Sequence, residues 1–179
     1  YTGYLIDAAA DRAFAGEGEG RGEVLVSAGG GAVGAPLLET ALRARPLTRL
    51  RDRTWRLLAG DNLPAGQFGR LRALAANDAG VVLERSRRDF TALLARCELS
   101  ISQAGYNTLL ETVQARARAV VVPFAAGRET EQSLRAQCFA RRGLVEVVDE
   151  SALTPQSLAA AVDAAAGRPR PLPGAIDLD

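Results

Sequence analysis

Six short apolar runs, each followed by a stretch of helical character, do most to restrict what this chain can become. They are Glu23–Ala28 (EVLVSA), Thr54–Ala59 (TWRLLA), Val81–Arg85 (VVLER), Leu99–Gln103 (LSISQ), Ala119–Val122 (AVVV) and Leu144–Val148 (LVEVV). Helical stretches follow at Ala35–Ala44, Gln67–Ala76, Phe90–Cys97 and Tyr106–Ala115, with another opening near Glu131-Gln132 and a last from Thr154 to Ala166. The runs are nearly continuous in hydrophobic residues, as strands covered on both faces are. Strands alternating with helices in this way build a parallel sheet. The expected fold is therefore α/β: a Rossmann-like, doubly wound parallel sheet of about six strands with helices on both faces. Ligands on such sheets bind beyond the carboxyl ends of the strands, at a topological switch point. Two loops at such ends, Gly29–Gly34 (GGGAVG) and Ser102–Asn107 (SQAGYN), are expected to face one pocket.

Local signals mark the limits of this unit. Residues 1–22 hold a short apolar segment, an Ala-rich stretch and GEGEGRG (Gly16–Gly22), a flexible polar connection that reads as an interdomain linker. Residues 23–166 form the folded domain, and 167–179, beginning GRPRPLPG, read as a tail. Pro123 stops the fifth strand, Asp89 is placed to cap the helix after it, and Thr154-Pro155 supplies a cap and an N1 proline.

Composition removes several classes of function. A net charge of +1 gives no basic surface for nucleic acid, and no apolar run approaches the ~18 residues of a membrane span. All 22 basic residues are arginine and there is no histidine, which removes the commonest general base and metal ligand. Cys97 and Cys138 lack metal-ligand spacing and fall in apolar helical patterns, the placing of reduced, buried thiols in a cytosolic protein. No metal site is expected. The chain has no methionine and begins at Tyr1, so it reads as a piece of a longer protein.

The chemistry concentrates in Leu99–Gln132. A strand ending at Gln103 turns at Ala104-Gly105 into a helix, so Gly105 and the N–H groups after it favour an anion. Glu111 lies six residues further on, an acid placed for hydroxyl groups. The alternatives are plain ones: Asn107 and Thr108 as helix caps, Glu111 as a solvated helix residue. GGGAVG resembles a dinucleotide fingerprint only loosely. Its first three glycines are adjacent, and the second strand ends without a ribose-binding acid, Asp61 coming only in the loop beyond. Trp55 and the phenylalanines Phe90, Phe124 and Phe139 read as core.

SQAGYNTLLE (Ser102–Glu111) resembles the nucleotide-sugar signature of GT-B glycosyltransferases, both the family 28 enzymes of the MurG type and the larger family with the motif H-x-G-W-N-S-x-x-E. The likeness runs from Gly3 to Ala166 and is closest to a group of little-characterised glycosyltransferases of that superfamily. It implies the C-terminal, donor-binding half of a two-domain enzyme. Carried over by position, the diphosphate would meet Gly29, Gly30 and Gly31 in the first loop and Gln103, Gly105, Asn107 and Thr108 in the second. Tyr106 takes the place of the motif aromatic. Glu111 would hold the ribose hydroxyls, and Glu131 and Gln132 the donor sugar. The segment Glu84–Arg88 lies where relatives hold the base, partly through backbone, with Arg85 and Ser86 at its centre. Gln103 stands where many relatives carry a phosphate-binding histidine, and Glu131 replaces Asp or Gln, which leaves the sugar open.

The resemblance further implies a hexosyl group moved from a nucleoside-diphosphate sugar, a UDP-sugar by family, to an acceptor hydroxyl. The nucleotide sugar would be a substrate, with no cofactor. The acceptor site and catalytic base would lie in an N-terminal domain this chain lacks, so the piece alone is expected to bind donor without turnover. Cytoplasmic location follows, with any membrane association through the missing half. Other readings of the same architecture are a nucleotide-sugar hydrolase or 2-epimerase, or a non-catalytic nucleotide-binding module.

Overall fold

The computed structural model describes residues 18–29, 34–124 and 130–171. Its strands are β1 (Val24–Ser27), β2 (Trp55–Leu58), β3 (Val81–Glu84), β4 (Leu99–Gln103), β5 (Ala119–Val122) and β6 (Glu146–Val147). Its α-helices are α1 (Ala35–Ala44), α2 (Ala65–Ala75), α3 (Phe90–Arg96), α4 (Tyr106–Gln114), α5 (Thr130–Arg141) and α6 (Pro155–Ala166). All five strand pairings are parallel, and the order is β3-β2-β1-β4-β5-β6. The order reverses between β1 and β4, which makes that gap the switch point of a doubly wound sheet. The expected α/β architecture is the one observed.

Side chains alternate across each strand, so the sheet builds a core on each face. On one face Val26, Trp55, Ile101 and Val120 pack against Leu38 of α1, Leu71 of α2 and Leu158 and Val162 of α6. On the other, Leu25 and Leu58 meet Leu93 and Leu94 of α3, while Val121 lies with Leu109 of α4 and Phe139 of α5. Trp55 is fully buried and its indole N–H donates to the Leu50 carbonyl at 3.0 Å, so it is core.

Beside Trp55, Arg56 points to the opposite face and is also buried. Its guanidinium donates to Glu23 and Glu84 at 2.7 Å each, which is what makes burial of the charge tolerable. Arg87 extends the network to Glu84 (3.3 Å), Asp89 (2.8 Å) and Glu19 (2.7 Å). This diverts Asp89 from the capping role expected of it. Asp89 stands at the N-cap of α3, but its carboxylate makes no cap bond and accepts two N–H bonds from Arg87. A bidentate, charge-assisted pair outcompetes a single bond to a backbone amide. The Arg87 hydrogen bonds hold both Asp89 and Glu19 below the usual carboxylate range.

Other departures are local. α2 starts two residues early, at Ala65. β6 shortens from the expected Leu144–Val148 to Glu146–Val147, the two residues in register with Val120 and Val121 at the sheet edge. Cys97 follows α3 instead of lying on it; burial pushes its thiol up to about 12, and both cysteines are free. The segments flanking 23–166 touch the domain: the Gly22 amide donates to the Arg96 carbonyl, and Arg170 donates to the carbonyl of Cys97.

The start of α6 is as expected. Thr154 Oγ accepts from the Ser157 amide at 3.1 Å, and Ser157 Oγ accepts from the Thr154 amide at 2.9 Å. Thr154→Ala should therefore cost about 1 kcal/mol. The melting temperature should fall by roughly 2–4 °C, measured by calorimetry.

Candidate functional site

The switch point brings the two glycine loops together. Ser27 and Ser102 are register partners at the ends of β1 and β4, so Gly29 and Gln103-Ala104-Gly105 leave the sheet side by side. Gly29 turns at φ +70°, a conformation L side chains rarely adopt, and its amide points at Ser27 Oγ, 3.4 Å away. Gly30 and Gly31 lie outside the described residues. Gly34 closes the loop for a packing reason: a Cβ there would stand 2.0 Å from Cβ of Ala28.

Gly105 is the N-cap of α4, with φ −59° and ψ 143°. Those angles suit any residue, and a Cβ built there would meet nothing within 4 Å. The fold itself gives no reason for glycine at this position. Space does: a ligand can approach the backbone closely. The N-cap position is taken by Gly105, which has no side chain to cap with, so Asn107 and Thr108 do not stand at the N-cap they could have filled. Asn107 is exposed, Thr108 is half-buried with its carbonyl taken by Thr112 Oγ at 2.6 Å, and Gln103 is half-buried at the strand end. Among the described residues no side chain accepts from the amides of Asn107 or Thr108 at the start of this helix.

Glu111 lies further along α4, half-buried, with no hydrogen bond or ion pair to its carboxylate among the described residues. Burial alone raises its pKa above the ordinary value. A desolvated carboxylate with two empty acceptor oxygens is suited to hydroxyl donors.

At the next strand end, α5 brings its first turn to the same edge. Gln132 Oε1 accepts from the Phe124 amide at 3.2 Å, so its amide nitrogen is the group left to meet a ligand. Glu131 is exposed and paired with Arg135, whose guanidinium lies 4.8 Å from the centroid of the Tyr106 ring. Arg135 thus stands beside these candidate residues, and the sequence motifs do not reveal it. An acid-to-arginine spacing of four on a helix was its available signal.

Arg85 and Ser86 sit beyond β3, two strand spacings from β1, on the order of 10 Å. Their side chains turn to the β2–α2 loop. Arg85 donates to the carbonyl of Leu63 at 3.1 Å and stacks 4.5 Å from the Phe68 ring, and Ser86 donates to Asp61 at 2.9 Å. The segment after β3 is also braced from its other side, since Arg87 ties it to Glu19 and Glu84. Among the described residues no group of three His, Cys, Asp or Glu side chains could hold a metal ion.

Residues 28–171 match the model of the glycosyltransferase family 28 C-terminal domain. The chain belongs to that family. Two curated relatives carry the name UDP-N-acetylglucosamine–N-acetylmuramyl-(pentapeptide) pyrophosphoryl-undecaprenol N-acetylglucosamine transferase. The one from Rhodospirillum centenum is 30% identical over 112 residues, 63% of this chain and 28% of the relative. The one from Syntrophotalea carbinolica is 29% identical over 145 residues, 80% of this chain and 39% of the relative. This chain therefore spans well under half the length of either. The crystal structure of MurG from Acinetobacter baumannii superposes with a TM-score of 0.66 at 20% identity, over 83% of this chain and 42% of that one. The family 28 match begins at the end of β1 and runs past α6, so it includes both switch-point loops, Glu111 and the start of α5.

Proposed function

We propose that this family 28 domain holds the nucleoside-diphosphate sugar of a hexosyltransferase, a UDP-sugar in the first instance. The observation that carries the reading is the pairing of Gly105 with Glu111. Among the described residues, one helix begins at a glycine with open space around it, and a desolvated carboxylate with no partner lies along the same helix. The diphosphate would lie across Gly29, Gly30, Gly31, Gln103, Gly105, Asn107 and Thr108, with the ribose hydroxyls on Glu111. Glu131 and the Gln132 amide nitrogen would take the sugar, and the Arg85-Ser86 backbone the base. Sugar transfer builds negative charge on the departing diphosphate. Preorganised N–H donors at the starts of α1 and α4 would stabilise that charge, an effect worth several kcal/mol in such sites.

The acceptor site and catalytic base would be supplied by a further domain, to which residues 1–22 lead. The greater length of the curated relatives supports that division. Their names, which specify an undecaprenol-linked acceptor, support a membrane contact in the acceptor half, and the proposed location is cytoplasmic. In the chain itself, no described helix is long and apolar enough to cross a membrane.

Calorimetry of residues 1–179 with UDP, GDP and dTDP tests the reading. Binding of at least one, with no sugar transfer by this piece alone, is expected. Absence of binding by all three would sink the donor-site assignment.

A further inference from the structure

Among the described residues the proposed donor site has an electrostatic gap. Gln103 at the end of β4 is neutral, the chain has no histidine or lysine, and the first two turns of α1, α4 and α5 contain one arginine, Arg135. Two contacts hold its guanidinium at the carboxyl edge of the sheet. It lies on the ring of Tyr106, the first residue of α4 after Gly105, and it donates to Glu131 one turn back on its own helix. The two members of that pair are unequally placed. The Arg135 side chain is 20% exposed and that of Glu131 is 82% exposed, so the cation is the inner partner and the carboxylate the outer one.

An exposed pair four residues apart on a helix is weak. A diphosphate offers several oxygens and more than one negative charge, which a planar guanidinium meets with paired N–H bonds. The ring contact is at the guanidinium carbon, 4.8 Å from the centroid, one N–H meets Glu131, and the guanidinium has further N–H donors to offer. Resting on the donor-site reading, we propose that Arg135 is a diphosphate-binding residue that exchanges Glu131 for the phosphates when a nucleoside diphosphate arrives. Tyr106 keeps the guanidinium beside the start of α4 through the exchange. Glu131 is thereby freed to accept hydroxyl groups of the donor sugar. The cation meets the charge of the departing diphosphate, which neutral Gln103 does not.

The test uses UDP, GDP and dTDP, which carry no donor sugar, so that loss of a donor-sugar contact at Glu131 does not enter. Affinities are measured by calorimetry at low and moderate salt for the wild type, Arg135→Gln, Arg135→Lys and Glu131→Gln, with the corresponding nucleosides as controls. Arg135→Gln should weaken the preferred diphosphate about tenfold and flatten its salt dependence, with nucleoside binding unchanged. Arg135→Lys should recover part of the loss. Glu131→Gln should bind the diphosphate several-fold more tightly, because the competing carboxylate is gone; a merely structural pair would move both variants the same way. Unchanged affinity and salt dependence in Arg135→Gln overturn this proposal and leave the donor site standing. Failure of the wild type to bind any of the three overturns both.

Discussion

Glu111→Ala is expected to weaken nucleoside-diphosphate binding by about 1.5–3 kcal/mol, the scale of a hydrogen bond to a charged group, while the domain stays folded. The carboxylate is half-buried and has no partner among the described residues, so its removal breaks no contact of the free protein. Stability should move the other way from affinity. The pKa of Glu111 is raised in the folded state by desolvation alone. A folded-state value above the unfolded one means that the stabilising contribution is complete below the unfolded pKa and is lost as pH rises through the folded pKa. At neutral pH the ionised group is therefore a cost, and Glu111→Gln should melt slightly higher than wild type, with the difference closing in acid. Binding reverses the sign. In the proposed site ribose hydroxyls would donate to the ionised form, so wild-type affinity should begin to fall at a higher pH than an ordinary carboxylate would cause. Comparing wild type with Glu111→Gln across pH cancels the titration of the phosphates themselves. Equal affinities in the two proteins at pH 7 would return Glu111 to the role of a solvated helix residue.

What could be read beforehand depended on how local each cause was. The six runs and their following helices carry their periodicity within themselves, so the parallel sheet was visible in the sequence. The cap at Thr154 is a contact between residues three apart, and it was visible too. Arg56 was not. It sits inside TWRLLA, a run that reads as apolar, and its carboxylate partners Glu23 and Glu84 are 33 and 28 residues away. Nothing near Arg56 announces them. Asp89 was misjudged because the competitor for its carboxylate, Arg87, stands only two residues off and has no place in a capping rule. In the site itself, the glycine loops were legible as punctuation after strands. Their division of labour was not, since it depends on what lies beside each Cα.

That division gives the second large effect, a contrast between two glycines on neighbouring loops. In Gly34→Ala the new Cβ would lie 2.0 Å from Cβ of Ala28, 3.1 Å from its Cα and 3.2 Å from its carbonyl oxygen. These are backbone and near-backbone atoms, so the start of α1 has to move off β1. Overpacking of this kind costs about 1–3 kcal/mol, read as a melting temperature lowered by several degrees. Gly105→Ala meets no such obstacle. Its backbone angles are allowed for alanine, and the space around the Cβ is open. Its stability should change little, because the gain of up to about 1 kcal/mol from a less disordered unfolded chain is opposed by the poorer standing of alanine at an N-cap. Binding should separate from folding at this position. If the diphosphate lies against the backbone at the start of α4, the methyl group occupies its approach, and affinity should fall by about 1–3 kcal/mol in a domain that melts like the wild type. A Gly105→Ala protein that binds nucleoside diphosphate as tightly as the wild type would place the phosphates elsewhere on the sheet edge. Those two outcomes differ because Gly105, unlike Gly34, answers to nothing inside the protein.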